Sequence, residues 1–191
     1  MHMDNNNIFF DITRLKSCGS NVIIGKTVRI RYPELVEIGD NVIIDDFTYI
    51  STQLIIESYC HIASGCKLIG GPKAQIRMSS FSTLAPNVVL AAGSDDYIAG
   101  IASPLVSSKY KGNVQVGKIH LGKHSIIGAN SVVLPDVTFG TGACVGALSL
   151  VKTNLDEWAL YAGVPVKKIK ERDRNAIINL ENTFNVDTNK V

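Results

Sequence analysis

Apolar residues recur at every sixth position over two long stretches of the chain. In 121-LGKHSIIGANSVVLPDVTFGTGACVGALSLV-151 they fall at Leu121, Ile127, Val133, Phe139, Val145 and Val151. In 38-IGDNVIIDDFTYISTQLIIESYCHIASGCKL-68 they fall at Ile38, Ile44, Ile50, Ile56, Ile62 and Leu68. Four places after a marker the residue is recurrently small or modest in size, as at Thr48, Cys60, Cys66, Ser125, Ser131, Ala143 and Ser149. A helical period of 3.6 drifts off a six-residue marker, and a half-buried strand of a hairpin needs an apolar residue at every second position. Six residues suit a short strand and a tight corner, the repeat of a parallel β-helix. Gly25, Gly39, Asp40, Asn41, Gly122, Gly128, Asn130, Gly140 and Gly146 supply corner residues that tolerate positive φ.

The places where this period holds and breaks divide one domain into parts. Residues 1–19 are irregular, and IFFDITRLKSCG is expected to form a short helix that caps the open end of the solenoid. The repeat spans residues 20–166: it starts near Ile24, pauses at 31-RYPELVE-37, runs to Leu68, and blurs through a third coil marked by Ile76 and Val88. It fails over 91–120 and returns at Leu121, so 91–120 is an excursion from the prism. Long excursions in compact domains usually carry function. From residue 167 the chain predicts a C-terminal helix and tail to 191, with Ile169, Ile177, Leu180 and Phe184 on an apolar face.

Composition narrows the class without naming a chemistry. A chain of 191 residues, 46% hydrophobic and 19% charged, can bury a core. No apolar run reaches the length of a membrane span, and MHMDNNN lacks the features of a signal peptide, so a cytoplasmic protein is expected. The net charge of +2 gives no basis for a nucleic-acid or membrane partner. Four cysteines read as thiols, with Cys60 and Cys66 at the small inward position.

The repeated [LIV]-G-x-x-x-x pattern, the broken coil and the ending AGVPVKKIKER resemble the hexapeptide-repeat acyltransferases over residues 20–172. The resemblance implies a left-handed β-helix, an all-β fold with a C-terminal α-helix, a homotrimer, and acetyl-CoA as co-substrate. Handedness comes from the resemblance alone, because parallel crossovers are otherwise right-handed. Within the family, 45-DDFTYIS-51, 59-YCHIA-63, 94-SDDY-97, 123-KHSIIGANSV-132 and 155-LDEWALYAGVPVKKIK-170 look most like enzymes that acetylate nucleotide-linked amino-dideoxy sugars of the dTDP-4-amino-4,6-dideoxyglucose type.

One departure bears on mechanism. Sugar O-acetyltransferases of this superfamily carry a catalytic histidine on the excursion, in a stretch like TATHP, and Asp95 stands there in 90-LAAGSDDY-97. A hydroxyl acceptor needs a base as it attacks, whereas a deprotonated amine has its own lone pair. Asp95 is therefore assigned to hold the acceptor amine, with His61 as a second catalytic candidate. The competing reading of 94-SDD-96 is a polar turn. Asp96, Tyr97, Arg77, Lys109 and Tyr110 are candidates for the nucleotide-sugar pocket. By resemblance the CoA groove is lined by Gly128, Ala129, Gly146 and Ala147, followed by Pro165, with Lys152, Lys167 and Lys168 facing its phosphates or simply solvated. His120 and His124 do not have the spacing to form a three-histidine metal site with His61, so no metal is expected. An O-acetyltransferase using His61 or His120 as base, and a non-catalytic solenoid scaffold, remain open alternatives.

Overall fold

The computed structural model describes residues 10–188, and in it the six-residue pattern folds as a parallel β-solenoid of about seven turns. Each turn crosses three faces. The first carries Ser17–Cys18, Val36–Ile38, Lys118–Leu121 and Val137–Phe139. The second carries Val22–Ile24, Val42–Ile44, His61–Ile62, Thr83–Leu84, Ile126–Ile127, Cys144–Val145 and Ala159–Gly163. The third carries Arg29–Ile30, Val89–Ala91, Val132–Val133 and Leu150–Val151. Tyr49–Ile56 and Lys67–Met78 bend through the corner between the third and first faces, which joins those faces into one ten-stranded sheet.

Parallel register places like on like. Ile44 pairs Ile62 and Ile62 pairs Leu84; on the third face Ile50 pairs Leu68 and Leu68 pairs Leu90. These markers all point inward and are fully buried, as are the small residues Cys66, Ser82, Ser125, Ser131 and Ala143. Stacked aliphatic columns of this kind exclude water along the whole axis, which is the main stabilising term of the fold.

The corner glycines work differently from the expectation of positive φ. Among the described residues the left-handed positions are mostly not glycine: Asn21, Asn41, Tyr59, Phe81, His124 and Trp158 form one column, and Phe47, Asn87, Asn130 and Leu148 belong to another. The marker glycines are needed for close approach. A Cβ at Gly128 would lie 2.4 Å from the Ala147 backbone nitrogen of the next coil.

Two expectations for the ends are corrected. The capping segment is a single 3-10 turn, Ile12–Arg14, and its first nine residues lie outside the described part. The C-terminal helix begins later than residue 167 and spans Arg174–Thr188, because Val166–Glu171 pairs antiparallel with Ala159–Gly163 across a turn containing a cis Val164–Pro165 bond. Ile169 therefore lies on a strand and is exposed. Among the described residues no helix is long and apolar enough to cross a membrane.

Candidate active site

The excursion leaves the third face after Ala91 and is closed at its root by an antiparallel pair, Gly93–Ser94 with Gln115–Val116. The two aspartates that follow have different environments. Asp96 accepts the backbone N–H groups of Ile98 and Ala99 on one oxygen and of Asn113 on the other, at 2.9, 3.0 and 2.9 Å. Those donors, Asn113 first, hold its carboxyl below the usual range. Asp96, expected at the sugar pocket, thus ties the loop's two limbs together. The Asp95 side chain takes no hydrogen bond among the described residues and is exposed. It lines a pocket of 340 Å³ with Ser94, Asp96, Tyr97, Asn113 and Gln115, and an adjoining one with Gly70 and Gly93. Tyr97 and Tyr110 are exposed on the same excursion, and the Lys109 ammonium lies 4.7 Å from the Tyr110 ring centre.

His61 stands on the second face, pointing outward between Ile43 and Thr83. Its Nε2 is 2.8 Å from Asp45 Oδ2. A carboxylate on one ring nitrogen fixes the orientation of the imidazole and leaves Nδ1 to face a ligand. Asp45 is not among the residues the sequence marks; the available signal is its position directly after marker Ile44, one coil before Ile62. His61 and Asp95 occupy different faces of the prism, and no contact joins them within one chain.

Arg77 lies on the first face, away from the other pocket candidates. Its guanidinium donates to Glu57 at 2.6 Å, and Glu57 also accepts from Ser80. Beside it in register is His120, whose Nε2 is 3.0 Å from Ser79 Oγ. Burial, then the Arg77 charge, lowers the His120 pKa. His124 sits in an aromatic column at the corner between the first and second faces. Tyr59 stacks on Phe81, Phe81 on His124, and His124 leans on Trp158. The C-terminal helix covers this column: Phe184 meets Tyr59 and Phe81 edge-on, and Glu181 binds both Lys123 and His124.

The residues expected to line the CoA groove gather at the corner after the second face. Gly128 and Ala129 stack on Gly146 and Ala147, with Ala162 in the coil beyond. Pro165 and Lys167 lie in the hairpin at that end. Lys168 is paired with Glu171 at 2.7 Å, and Lys152 follows Val151 at the far edge of the third face, apart from this corner. Burial is the first cause of a raised thiol pKa at all four cysteines and pushes Cys66 up to about 11. None is a ready nucleophile. Among the described residues no group of three or more His, Cys, Asp or Glu could hold a metal ion.

No protein-family model matches the chain. A dTDP-4-amino-4,6-dideoxy-D-glucose acyltransferase from Escherichia coli is 36% identical over 174 residues, covering 88% of each chain. The N-acyltransferase AntD from Bacillus cereus, solved with dTDP and 3-hydroxybutyryl-CoA, is 43% identical with a TM-score of 0.88 over 93% of each chain. A variant of AntD solved with dTDP-4-amino-4,6-dideoxyglucose and coenzyme A is 44% identical with a TM-score of 0.85 over 90% of each. The chain belongs to the hexapeptide-repeat acyltransferases, in the group that acylates nucleotide-linked amino sugars, and its solenoid is the left-handed β-helix of that family.

Proposed function

We propose that this protein transfers an acetyl group from acetyl-CoA to the amino group of a dTDP-linked amino-dideoxy sugar, working as a homotrimer with its sites between chains. The observation that carries the reading is Asp95: an unpaired carboxylate beside the excursion pocket, next to an Asp96 fully occupied in holding the loop. An unpaired carboxylate attracts and orients an ammonium, and one freed of its proton is a competent nucleophile. The amine lone pair forms a bond to the thioester carbon and backbone N–H groups stabilise the oxyanion. The C–S bond then breaks, and the surplus amine proton leaves to the departing thiolate or to water. The raised pKa of every thiol supports direct transfer with no cysteine intermediate.

The trimer is supported by the separation of His61 from Asp95 and by the edge between their faces. Phe47 and Leu148 project there with 71% and 69% exposure, flanked by exposed Ile23, Ile43 and Ile126. Large apolar side chains left this exposed favour burial against another copy. In such a trimer His61 of one chain, oriented by Asp45, approaches the sugar bound near Asp95 of the next. Its use of acyl-CoA supports a cytoplasmic site of action. The test is thiol release with acetyl-CoA and 3-hydroxybutyryl-CoA against nucleotide-linked amino sugars, with the matching hydroxy sugars as controls. Release with amino sugars alone is expected. Release with hydroxy sugars alone overturns the role of Asp95 and moves the search for a base to His61 and His120. Failure to bind CoA favours a scaffold.

A further inference from the structure

The outward residues of the third face change character along the axis. One column reads Arg29, Tyr49, Lys67, Val89, Val132, Leu150, each in register with the next. The column beside it reads Arg31, Ser51, Ile69, Ala91, with Arg31 following Ile30 and bonding through its backbone N–H to Ile50. The first and third coils of these columns thus present cations, the second presents Tyr49 beside a buried Ser51, and the later coils are aliphatic. Lys16, Arg77, Lys123 and Lys168 each have a carboxylate partner. Arg29, Arg31 and Lys67 are exposed and have none among the described residues. Lys67 Nζ donates to the Gly65 carbonyl at 2.6 Å, which holds the ammonium at the face. The Arg31 guanidinium lies against the Tyr32 ring, 5.6 Å from its centre, and hydrogen-bonds the Tyr49 phenol. That bond, with further help from the Arg31 and Arg29 charges, lowers the Tyr49 pKa.

We infer that Arg29, Arg31 and Lys67, grouped around Tyr49, hold the diphosphate of the nucleotide-linked sugar. The assignment rests on the reading of the excursion as the acceptor site. Ala91 ends the second column and leads through Gly93 and Ser94 to Asp95. Lys67 is one coil from Val89, and Arg31 is three coils from Ala91, about 5 and about 14 Å at the usual strand spacing. A hexose whose amine meets Asp95 lies across Ile69 and Ala91, and its anomeric phosphate then reaches the first cationic coil. The second phosphate falls between Lys67 and the arginines. Arg supplies paired donors that suit phosphate oxygens, and the Tyr49 hydroxyl adds a neutral donor.

The experiment is calorimetric titration of dTDP and, separately, of CoA into wild-type protein, Lys67→Met, and the double variant Arg29→Gln with Arg31→Gln. All three residues are exposed, and an unchanged CoA affinity certifies the fold of each variant. The dTDP Kd should rise about tenfold or more in the double variant and several-fold in Lys67→Met, while CoA binding stays within twofold. Inorganic diphosphate should displace dTDP from the wild type. A double variant that binds dTDP within twofold of wild type overturns the assignment and leaves the acyl-transfer reading intact. Wild-type protein that releases CoA with amino sugars but does not bind dTDP overturns the assignment together with the choice of nucleotide.

Discussion

Asp95→Asn is the substitution that separates the amine-holding role from every structural role of the excursion. The side chain keeps its shape and loses its charge. The loop should not notice, because Asp96 bears the backbone hydrogen bonds and Gly93–Ser94 pairs with Gln115–Val116 independently of residue 95. A hydrogen bond to a charged group is worth about 1.5–3 kcal/mol, and each factor of ten is about 1.4 kcal/mol, so kcat/KM for the amino sugar should fall about ten- to 150-fold. Asp95→Ala, which removes the acceptor altogether, should fall at least as far. The assay is thiol release with the amino sugar varied at saturating acyl-CoA, beside calorimetric CoA binding, which should stay within twofold. An Asn variant within threefold of wild type, or one whose CoA binding drops in step with its turnover, refutes the reasoning.

Other predictions follow from single contacts. Asp45→Asn should lower kcat more than it raises KM, since the 2.8 Å contact to His61 Nε2 fixes that ring; a kcat equal to wild type argues that His61 is a surface residue. The folded-state pKa of Asp96 is depressed, so its contribution is present above the ordinary value of 3.8 and lost as pH falls through the lower folded value. Hydrogen exchange of Ile98, Ala99 and Asn113 should accordingly stay protected through neutral and mildly acid pH, and opening near neutrality would contradict this. Glu181→Gln should weaken docking of the C-terminal helix by about 1–3 kcal/mol, because a carboxylate 11% exposed loses its ionic bonds to Lys123 and His124; protease sensitivity of residues 174–188 reads the outcome. Gly128→Ala should destabilise the chain by about 1–3 kcal/mol and weaken CoA binding, since its Cβ would meet the Ala147 backbone; a variant with wild-type urea midpoint and CoA affinity counts against close coil stacking there.

The coil was legible because one physical rule, a six-residue rung with its marker inward, repeats without help from distant residues. The markers from Ile38 to Leu68 and from Leu121 to Val151 are all buried. The third coil blurs because Gly70, Gly71, Pro72 and Lys73 widen it, and Gln53 therefore pairs Gln75 rather than following the eighteen-residue step. The helix start was missed for a local reason: 167-KKIKER-172 has helical composition, but the hairpin through Pro165 gives its backbone partners on Ala159–Gly163 first. The aromatic column is invisible to periodicity. Tyr59, Phe81 and His124 look like interruptions in sequence, and only stacking at six-residue corners on successive coils makes them one surface for Phe184. Of the candidate site, the excursion was readable from the break in the repeat, whereas Asp95 was marked only by the resemblance of 90-LAAGSDDY-97 to the stretch that carries a histidine in O-acetyltransferases. Asp45, and the use of Asp96 as a loop tie, needed side-chain geometry.

Chemistry in this fold is confined to what the inward rule leaves free. Along each rung one position must be aliphatic and its neighbours face out, so outward columns can vary without disturbing the core. On the third face those columns run from arginines to valine and leucine, and the excursion opens where the cations end. On the second face the outward column is aliphatic except for His61, Thr83 and Cys144. A charged track on one face and a lone oriented imidazole on another are incomplete separately. A flat prism face also cannot enclose a ligand, because it has no wall opposite. In the proposed trimer that wall is a second prism, with one chain's third face against the next chain's second face. A variant that keeps its fold but dissociates, such as one with Phe47→Glu, should therefore lose transfer through the loss of the opposite wall while Asp95, Asp96 and their loop remain intact.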